Sequence, residues 1–194
     1  MSEPTTHPPA AAALPIVYPL DEFYARAGLV LPKIERLGGE QVPEPYRQLL
    51  VHENDMTPTL ESFHGAHIHL RILNREQRDD FYFREVVLQL DDSNMPVEFG
   101  ANKINLALFP AKARQLILEE HLPLGRILKD CGIAHSTIAK AFFSVETDDL
   151  IQRALHLAKP SILYGRRANI LDPQKRPLSE IVEILPPGRR KGER

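Results

Sequence analysis

The fold of this chain is decided by residues 81–109, which read FYFREVVLQLDDSNMPVEFGANKINLALF. Apolar residues dominate both halves of the stretch, and β-branched and aromatic side chains are frequent, which predicts two strands, Phe81 to Leu90 and Val97 to Phe109. The residues between them, Asp91 to Asn94, are typical of a turn. The stretch therefore predicts a β-hairpin.

The sequence on either side of this hairpin predicts alternating short helices and strands. In chain order, these are helices at 20–27 and 43–50, a helix capped by Thr57 with Pro58 at its first position, a strand at 68–73, helices at 111–120 and 124–131, a strand at 137–145, a helix capped by Thr147, and a second hairpin of 162–171 with 178–185. Hairpins without a regular βαβ alternation predict an α+β domain with a mainly antiparallel sheet and helices packed on it.

The composition predicts one globular domain. The chain has 194 residues, of which 43% are hydrophobic and 26% are charged, and a single core typically serves about 100–200 residues. We expect this domain to span residues 16–187. Residues 1–15 are rich in proline and alanine and predict a disordered leader, whereas 188–194 predict a basic, solvated tail.

Charge and cysteine content exclude several classes of protein. With 24 Lys and Arg against 26 Asp and Glu, no overall basic field exists to attract nucleic acid. The single cysteine, Cys131, excludes an internal disulfide framework and predicts a cytoplasmic location. No apolar run approaches the ~20 residues of a membrane helix, so we expect no membrane span.

Two charged residues interrupt apolar strand faces. Arg84 shares a face with Val86, and Glu183 lies between Ile181 and Leu185 on its own strand. On one interpretation, the two side chains pair with each other or with the backbone, or the inward face is misassigned and both are solvated. On the other, both face one pocket, where Arg84 binds a ligand carboxylate and Glu183 acts near an ionisable oxygen.

Metal chemistry has little support in the sequence. His67 and His69 share one strand face and are the main candidates for a metal pair. No HExxH motif or cysteine cluster accompanies them. We therefore expect no metal site and no cofactor.

Five short segments, in this order, carry a resemblance to a known family. They are Asp55-Met56-Thr57 with Leu60-Glu61, Phe83 to Leu88, Pro123 to Leu128, Tyr164 to Arg167, and Pro177-Leu178 leading to Val182 to Pro186. Together they cover residues 45–187 and resemble the chorismate lyase (chorismate pyruvate-lyase) family. This resemblance implies a six-stranded antiparallel sheet with an internal ligand pocket under helical flaps.

The resemblance also implies roles for individual residues. Arg84 would bind the ring carboxylate of the ligand, and backbone groups at Met56 and Leu124 would add contacts. Glu183 would face the 4-oxygen of the ring and manage charge or a proton at the departing oxygen. Arg84 and Glu183 are thus implied to be catalytic. One departure is that Ala101 follows Gly100 where the family enzyme has an arginine, so one guanidinium is expected to be missing.

The implied activity is a carbon–oxygen lyase that converts chorismate to 4-hydroxybenzoate and pyruvate, a supply of ubiquinone precursor, without a cofactor. We expect a monomer or weak oligomer with a small aromatic acid as its partner. The alternative is a non-catalytic module that binds such an acid, because the same fold resembles the effector-binding domain of a class of transcription regulators. A scaffold with a vestigial pocket is the third interpretation.

Overall fold

The protein is described here by a computed structural model that covers residues 14–188, so the predicted leader and basic tail fall almost wholly outside the described residues. The helices are α1 (Leu20–Arg26), α2 (Tyr46–Leu50), α3 (Met56–His64), α4 (Ala111–Glu119), α5 (Leu124–Asp130) and α6 (Asp149–Ala154). The strands are β1 (Ile34–Leu37), β2 (Ile68–Arg78), β3 (Phe81–Leu90), β4 (Pro96–Asn105), β5 (Ser136–Glu146), β6 (Ile162–Leu171) and β7 (Pro177–Leu185).

The strands form one antiparallel sheet in the order β1-β5-β6-β7-β4-β3-β2. The α+β class predicted from the sequence is confirmed, but the sheet has seven strands rather than six. The additional strand is β1, which pairs with β5 through Ile34 opposite Val145. It has only four residues, and its two central charged residues are exposed, so no apolar alternation reveals it in the sequence.

Two helix starts differ from the prediction. The N-cap of α3 is Asp55 rather than Thr57, and Pro58 is the third residue of the helix. Proline is tolerated there because the first N–H groups of a helix have no intrahelical acceptor. The N-cap of α6 is Asp148 rather than Thr147, and its Oδ1 accepts a hydrogen bond from the Ile151 N–H at 2.9 Å.

Helices cover both faces of the sheet. On the first face, α1 and α6 pack on a cluster that includes Phe99 and Phe143. On the second face, one apolar cluster contains residues of α2 and α3, and another contains residues of α4 and α5. Within the described residues, the longest helices have nine residues, and none is long and apolar enough to cross a membrane.

Candidate functional site

Four buried charged side chains lie on adjacent strands of the second face, between its two apolar clusters. They are Arg84 on β3, Glu98 on β4, Glu183 on β7 and Arg166 on β6, and each is at most 5% exposed. An uncompensated buried charge costs several kcal/mol. Such a concentration of buried charge therefore marks a candidate functional site.

The register of the sheet orders these residues along the strands. Directly opposite one another are Arg84 and Asn102, Arg166 and Glu183, Glu183 and Gly100, and Glu98 and Leu88. Two residues along a strand span about 7 Å. Residues that lie opposite one another on neighbouring strands thus form rows across the sheet, and successive rows on this face are about 7 Å apart along the strands. The first row contains Arg84, the second contains Glu183 with Arg166, and the third contains Glu98.

The four charged side chains line one internal cavity of about 40 Å³. Met56 and Leu124, the first residues of α3 and α5, line it as well. The two helices approach closely there, since a Cβ on Gly125 would lie 3.2 Å from Thr57 Oγ1. Ligand pockets typically measure about 300–1,000 Å³, so this cavity has to enlarge to admit a ring-sized ligand.

Arg84 lacks a full set of hydrogen-bond acceptors. Its Nε donates to Asn102 Oδ1 at 3.2 Å, but its Nη1 is buried and has no acceptor among the described residues. Burial lowers the pKa of Arg84 to about 10. Arg84 does not pair with Glu183, contrary to the first interpretation of the sequence. Its guanidinium therefore presents an unused donor to the cavity.

Arg166 is the partner of Glu183. Its Nε donates to Glu183 Oε2, while the remaining guanidinium nitrogens donate to the carbonyl oxygens of Leu50, His52 and Asn54 at 3.0–3.3 Å. Arg166 thus neutralises the carboxylate and ties β6 to the segment between α2 and α3.

Glu98 differs from Glu183 because it lacks a partner. Its Oε2 is buried without a hydrogen bond among the described residues. Burial, and then the charge of Glu183, raise the pKa of Glu98 well above its ordinary value, against the opposing effect of Arg166. Both burial and the charge of Glu183 thus favour the neutral form of the Glu98 carboxyl group.

The missing guanidinium inferred from Ala101 needs a correction. Ala101 packs with Phe83 and Val182 in the cluster on the first face of the sheet, so its side chain does not face the cavity. The cavity has a second guanidinium, but Arg166 supplies it. Arg166 lies in one of the five resembling segments, and its strand face carries Tyr164 and Ala168, so alternation could have assigned it to the pocket. Glu98 lies outside those segments, and the residues two positions from it are Pro96 and Gly100.

The two histidines that were considered as candidates for a metal pair have other contacts. His67 Nδ1 lies 3.3 Å from Glu61 Oε1, and His69 Nδ1 lies 2.9 Å from Asp91 Oδ1. Both rings are substantially exposed. Across residues 14–188, no three His, Cys, Asp or Glu side chains are grouped so that they could hold a metal ion.

A cluster of polar side chains lies on the wall between the cavity and an open groove of about 940 Å³. Asp55 Oδ1 accepts a hydrogen bond from Thr137 Oγ1 at 2.6 Å, and Asp55 Oδ2 lies 2.8 Å from His135 Nε2. The other ring nitrogen of His135 lies 2.7 Å from the Ile133 carbonyl oxygen. Because both neighbours are acceptors, only the doubly protonated imidazolium satisfies both contacts.

This cluster predicts a pH dependence of stability. Burial is the largest influence on His135 and opposes its charging, but the hydrogen bonds to Ile133 and Asp55 outweigh it and raise its pKa. A raised pKa in the folded state contributes stability that is complete below about pH 6.5 and is lost as the pH rises through the folded-state pKa. We expect His135→Gln to remove this contribution, which is at most about 1 kcal/mol because the pair is partly solvated.

The measurement is the free energy of unfolding in urea at pH 6 and pH 8. Burial lowers the pKa of His52 and His64, which act in the opposite direction, so the difference between wild type and His135→Gln is the informative quantity. His67→Gln, at an exposed ring, is the control. If the difference in unfolding free energy between pH 6 and pH 8 were the same in His135→Gln as in wild type, His135 would not be the source of the pH dependence.

Comparison with known proteins identifies the fold. No protein-family model and no curated protein matches the sequence. The effector domain of PhnF from Mycobacterium smegmatis aligns with a TM-score of 0.55 at 12% identity, covering 71% of this chain and 91% of that one. A second structure of PhnF gives a TM-score of 0.55 at 11% identity, with 91% and 96% covered. YydK from Bacillus subtilis gives 0.50 at 9% identity, with 88% and 92% covered.

At these identities the similarity establishes the fold alone. The chain has the chorismate lyase-like fold that was expected from the sequence, and it shares this fold with an effector domain. Membership of the chorismate lyase family does not follow from these comparisons.

Proposed function

We propose that this chain binds a small aromatic carboxylic acid in the internal cavity and that it is a chorismate pyruvate-lyase. The observation that carries the proposal is the buried Arg84, whose Nη1 lacks an acceptor and which faces the same cavity as the carboxyl groups of Glu98 and Glu183. A ligand carboxylate would supply the missing acceptor and the missing negative charge. The resemblance of the five sequence segments to chorismate lyase supports the choice of ligand.

The backbone at Met56 and Leu124 would add to the carboxylate site. The first N–H groups of a helix have no intrahelical acceptor, and neither Asp55 nor Pro123 caps its helix through its side chain. These N–H groups are therefore available to a ligand at the cavity wall. Arg84 would fix one end of the ring, and Glu183 lies one row, about 7 Å, further along the sheet.

The reaction needs proton transfer but no redox step. The bond between C3 of chorismate and the enolpyruvyl oxygen breaks, C4 loses its proton, and the ring becomes aromatic as 4-hydroxybenzoate forms. The departing oxygen is on C3, whereas Glu183 is expected to face the ring at C4. Glu183, ion-paired with Arg166, would therefore accept the C4 proton rather than act at the departing oxygen. The departing enol takes up a proton and becomes pyruvate. Arg84 and Glu183 are the two residues of this chain that we propose as catalytic.

A binding module without catalysis is the second candidate. The observation that favours it is the fold shared with the effector domain of PhnF. Such a module would use Arg84 in the same way but would not require Glu183 to exchange a proton. The two functions therefore differ in what they require of Glu183.

The variant Glu183→Gln separates the two functions. Glutamine keeps the size and an acceptor oxygen for Arg166 but cannot take up the C4 proton. We expect wild type to convert chorismate, and Glu183→Gln to keep its affinity for 4-hydroxybenzoate while its kcat falls by about 10²-fold or more. The measurements are calorimetric titration with 4-hydroxybenzoate and chromatography of the products formed from chorismate.

The matched control is Glu180→Gln. Glu180 lies on the same strand as Glu183 but faces the other side of the sheet, where its carboxylate pairs with Lys103 at 3.0 Å. The Glu180→Gln substitution should leave the turnover of chorismate unchanged. Normal turnover by Glu183→Gln would exclude Glu183 as the base, whereas binding of 4-hydroxybenzoate without any turnover by wild type would favour the binding module.

A further inference from the structure

Glu98 is the buried ionisable group of the cavity to which the mechanism above gives no role. It lies on β4 opposite Leu88, in a part of the sheet that is otherwise apolar. The residue is 5% exposed, and its Oε2 has no hydrogen-bond partner among residues 14–188. A buried polar atom without a partner costs about 1–3 kcal/mol, so a structural role does not explain why a glutamate stands here.

The position of Glu98 suits the part of the substrate that leaves. The Arg84 row holds the ring carboxylate, and the Glu183 row follows about 7 Å further along the strands. Glu98 lies two residues beyond Gly100, the residue opposite Glu183, and therefore forms the third row. The enolpyruvyl group is attached at C3, beside the 4-oxygen, and is long enough to extend from the ring past the Glu183 row toward Glu98.

The two carboxyl groups also have different environments. Glu183 is paired with Arg166, whereas the buried Oε2 of Glu98 has no hydrogen-bond partner among the described residues, and the negative charge of Glu183 acts on Glu98 more strongly than the positive charge of Arg166. Two neighbouring carboxyl groups with such environments divide into an acid and a base. The reaction proposed above needs one of each.

We propose that Glu98 is a second catalytic residue, which donates a proton to the enolpyruvyl oxygen as the bond between that oxygen and C3 breaks. Glu183 accepts the C4 proton, and the electron pair of the C4–H bond completes the aromatic ring. The released enol tautomerises to pyruvate, and one proton returns from Glu183 to Glu98 between turnovers. Nothing is oxidised or reduced. This role rests on the proposed lyase function.

The test compares Glu98→Gln with wild type. Glutamine resembles a neutral glutamic acid in size and as a donor, so we expect folding and affinity for 4-hydroxybenzoate to be retained. The kcat for chorismate should fall by about 10²- to 10⁴-fold. Glu98→Asp, which keeps an acid at the end of a shorter side chain, should recover part of the rate.

The pH profile distinguishes an acid from a structural residue. Wild-type kcat should fall as the pH rises through the pKa of Glu98, and this alkaline limb should be absent from the residual activity of Glu98→Gln. The other charged groups that face the cavity, Asp55, Arg84, Arg166 and Glu183, are unchanged in the variant. The loss of the limb would therefore identify Glu98.

Glu85→Gln is the control, because Glu85 is another buried carboxyl group with an unpartnered oxygen, next to Asn74 and not among the residues that line the cavity. It should leave kcat and the pH profile unchanged. A wild-type rate in Glu98→Gln, or a reduced rate with the alkaline limb intact, would overturn the role of Glu98 alone. Absence of turnover in wild type would overturn the lyase function and this role with it.

Discussion

Replacing Arg84 with methionine is expected to raise the stability of the unliganded protein and to weaken its affinity for 4-hydroxybenzoate by more than about tenfold. Arg84 is 1% exposed, and one of its guanidinium nitrogens has no acceptor among the described residues. In the absence of a ligand, the buried charge is therefore a cost. Methionine fills similar space without a charge, so the free energy of unfolding should rise by about 1–3 kcal/mol.

The same substitution removes the cation that binds the ligand carboxylate. Truncating one partner of a desolvated charge pair costs about 2–4 kcal/mol of binding free energy, which corresponds to about 30- to 700-fold weaker affinity. Arg84→Lys should restore little of it, because a lysine cannot form the bidentate contact. The measurements are urea unfolding and calorimetric titration with 4-hydroxybenzoate.

Arg71→Met is the matched control, because Arg71 is exposed on β2. It should change stability by less than about 0.5 kcal/mol and leave affinity unaltered. If Arg84→Met bound 4-hydroxybenzoate as tightly as wild type, Arg84 would not be the carboxylate-binding residue.

Replacing Arg166 with alanine is expected to have the opposite effect on stability. Arg166 is fully buried, and its guanidinium donates to Glu183 and to three carbonyl groups, one at the end of α2 and two between α2 and α3. Its removal leaves a buried carboxylate without a cation, for which the cost is about 3–5 kcal/mol. Because a domain is typically stable by about 5–15 kcal/mol, Arg166→Ala should be severely destabilised in urea unfolding.

Arg167→Ala provides the comparison on the same strand. Arg167 faces the other side of the sheet and binds the carbonyl oxygens of Leu14 and Pro15 at the exposed surface, so its loss should cost about 1 kcal/mol or less. The double variant Arg166→Met with Glu183→Leu, which removes both charges, should be more stable than Arg166→Ala. If Arg166→Ala and Arg167→Ala lowered the free energy of unfolding equally, the buried ion pair would contribute no more to stability than a surface hydrogen bond does.

Much of the fold could be predicted from the sequence where strands are strongly patterned. The bounds of β3 and β6 agree with the predicted strands at 81–90 and 162–171, because long β-rich runs end there at clear turns. The short edge strand β1 could not be found, since it buries no residue fully. At the starts of α3 and α6 the sequence contains an aspartate and a threonine within two residues of each other, and each is a typical N-cap residue. Which of the two is the N-cap depends on the backbone conformation before the helix, and in both cases it is the aspartate.

The site could be predicted in part. The alternation of residues within single strands was enough to predict that Arg84 and Glu183 face the interior. Their hydrogen-bond partners could not be predicted in this way, because they lie on neighbouring strands. Arg166 faces Glu183 only because β6 pairs with β7 in that register. The contact between Asp55 and His135 joins residues 80 positions apart, which no local pattern indicates. Glu98 could not be found by the alternation that singled out Arg84, because the residues two positions away on its strand are Pro96 and Gly100, and the register shifts between Glu98 and Pro96.

The most direct measurement of the central claim is the conversion of chorismate by the purified full-length protein, followed by quantifying both products against an enzyme-free control. We expect 4-hydroxybenzoate and pyruvate to appear in equal amounts, and we expect Arg84→Met and Glu183→Gln to lose this activity while Glu180→Gln retains it. The lyase function would be contradicted if the wild-type protein is folded and binds 4-hydroxybenzoate but forms the two products no faster than the enzyme-free control does.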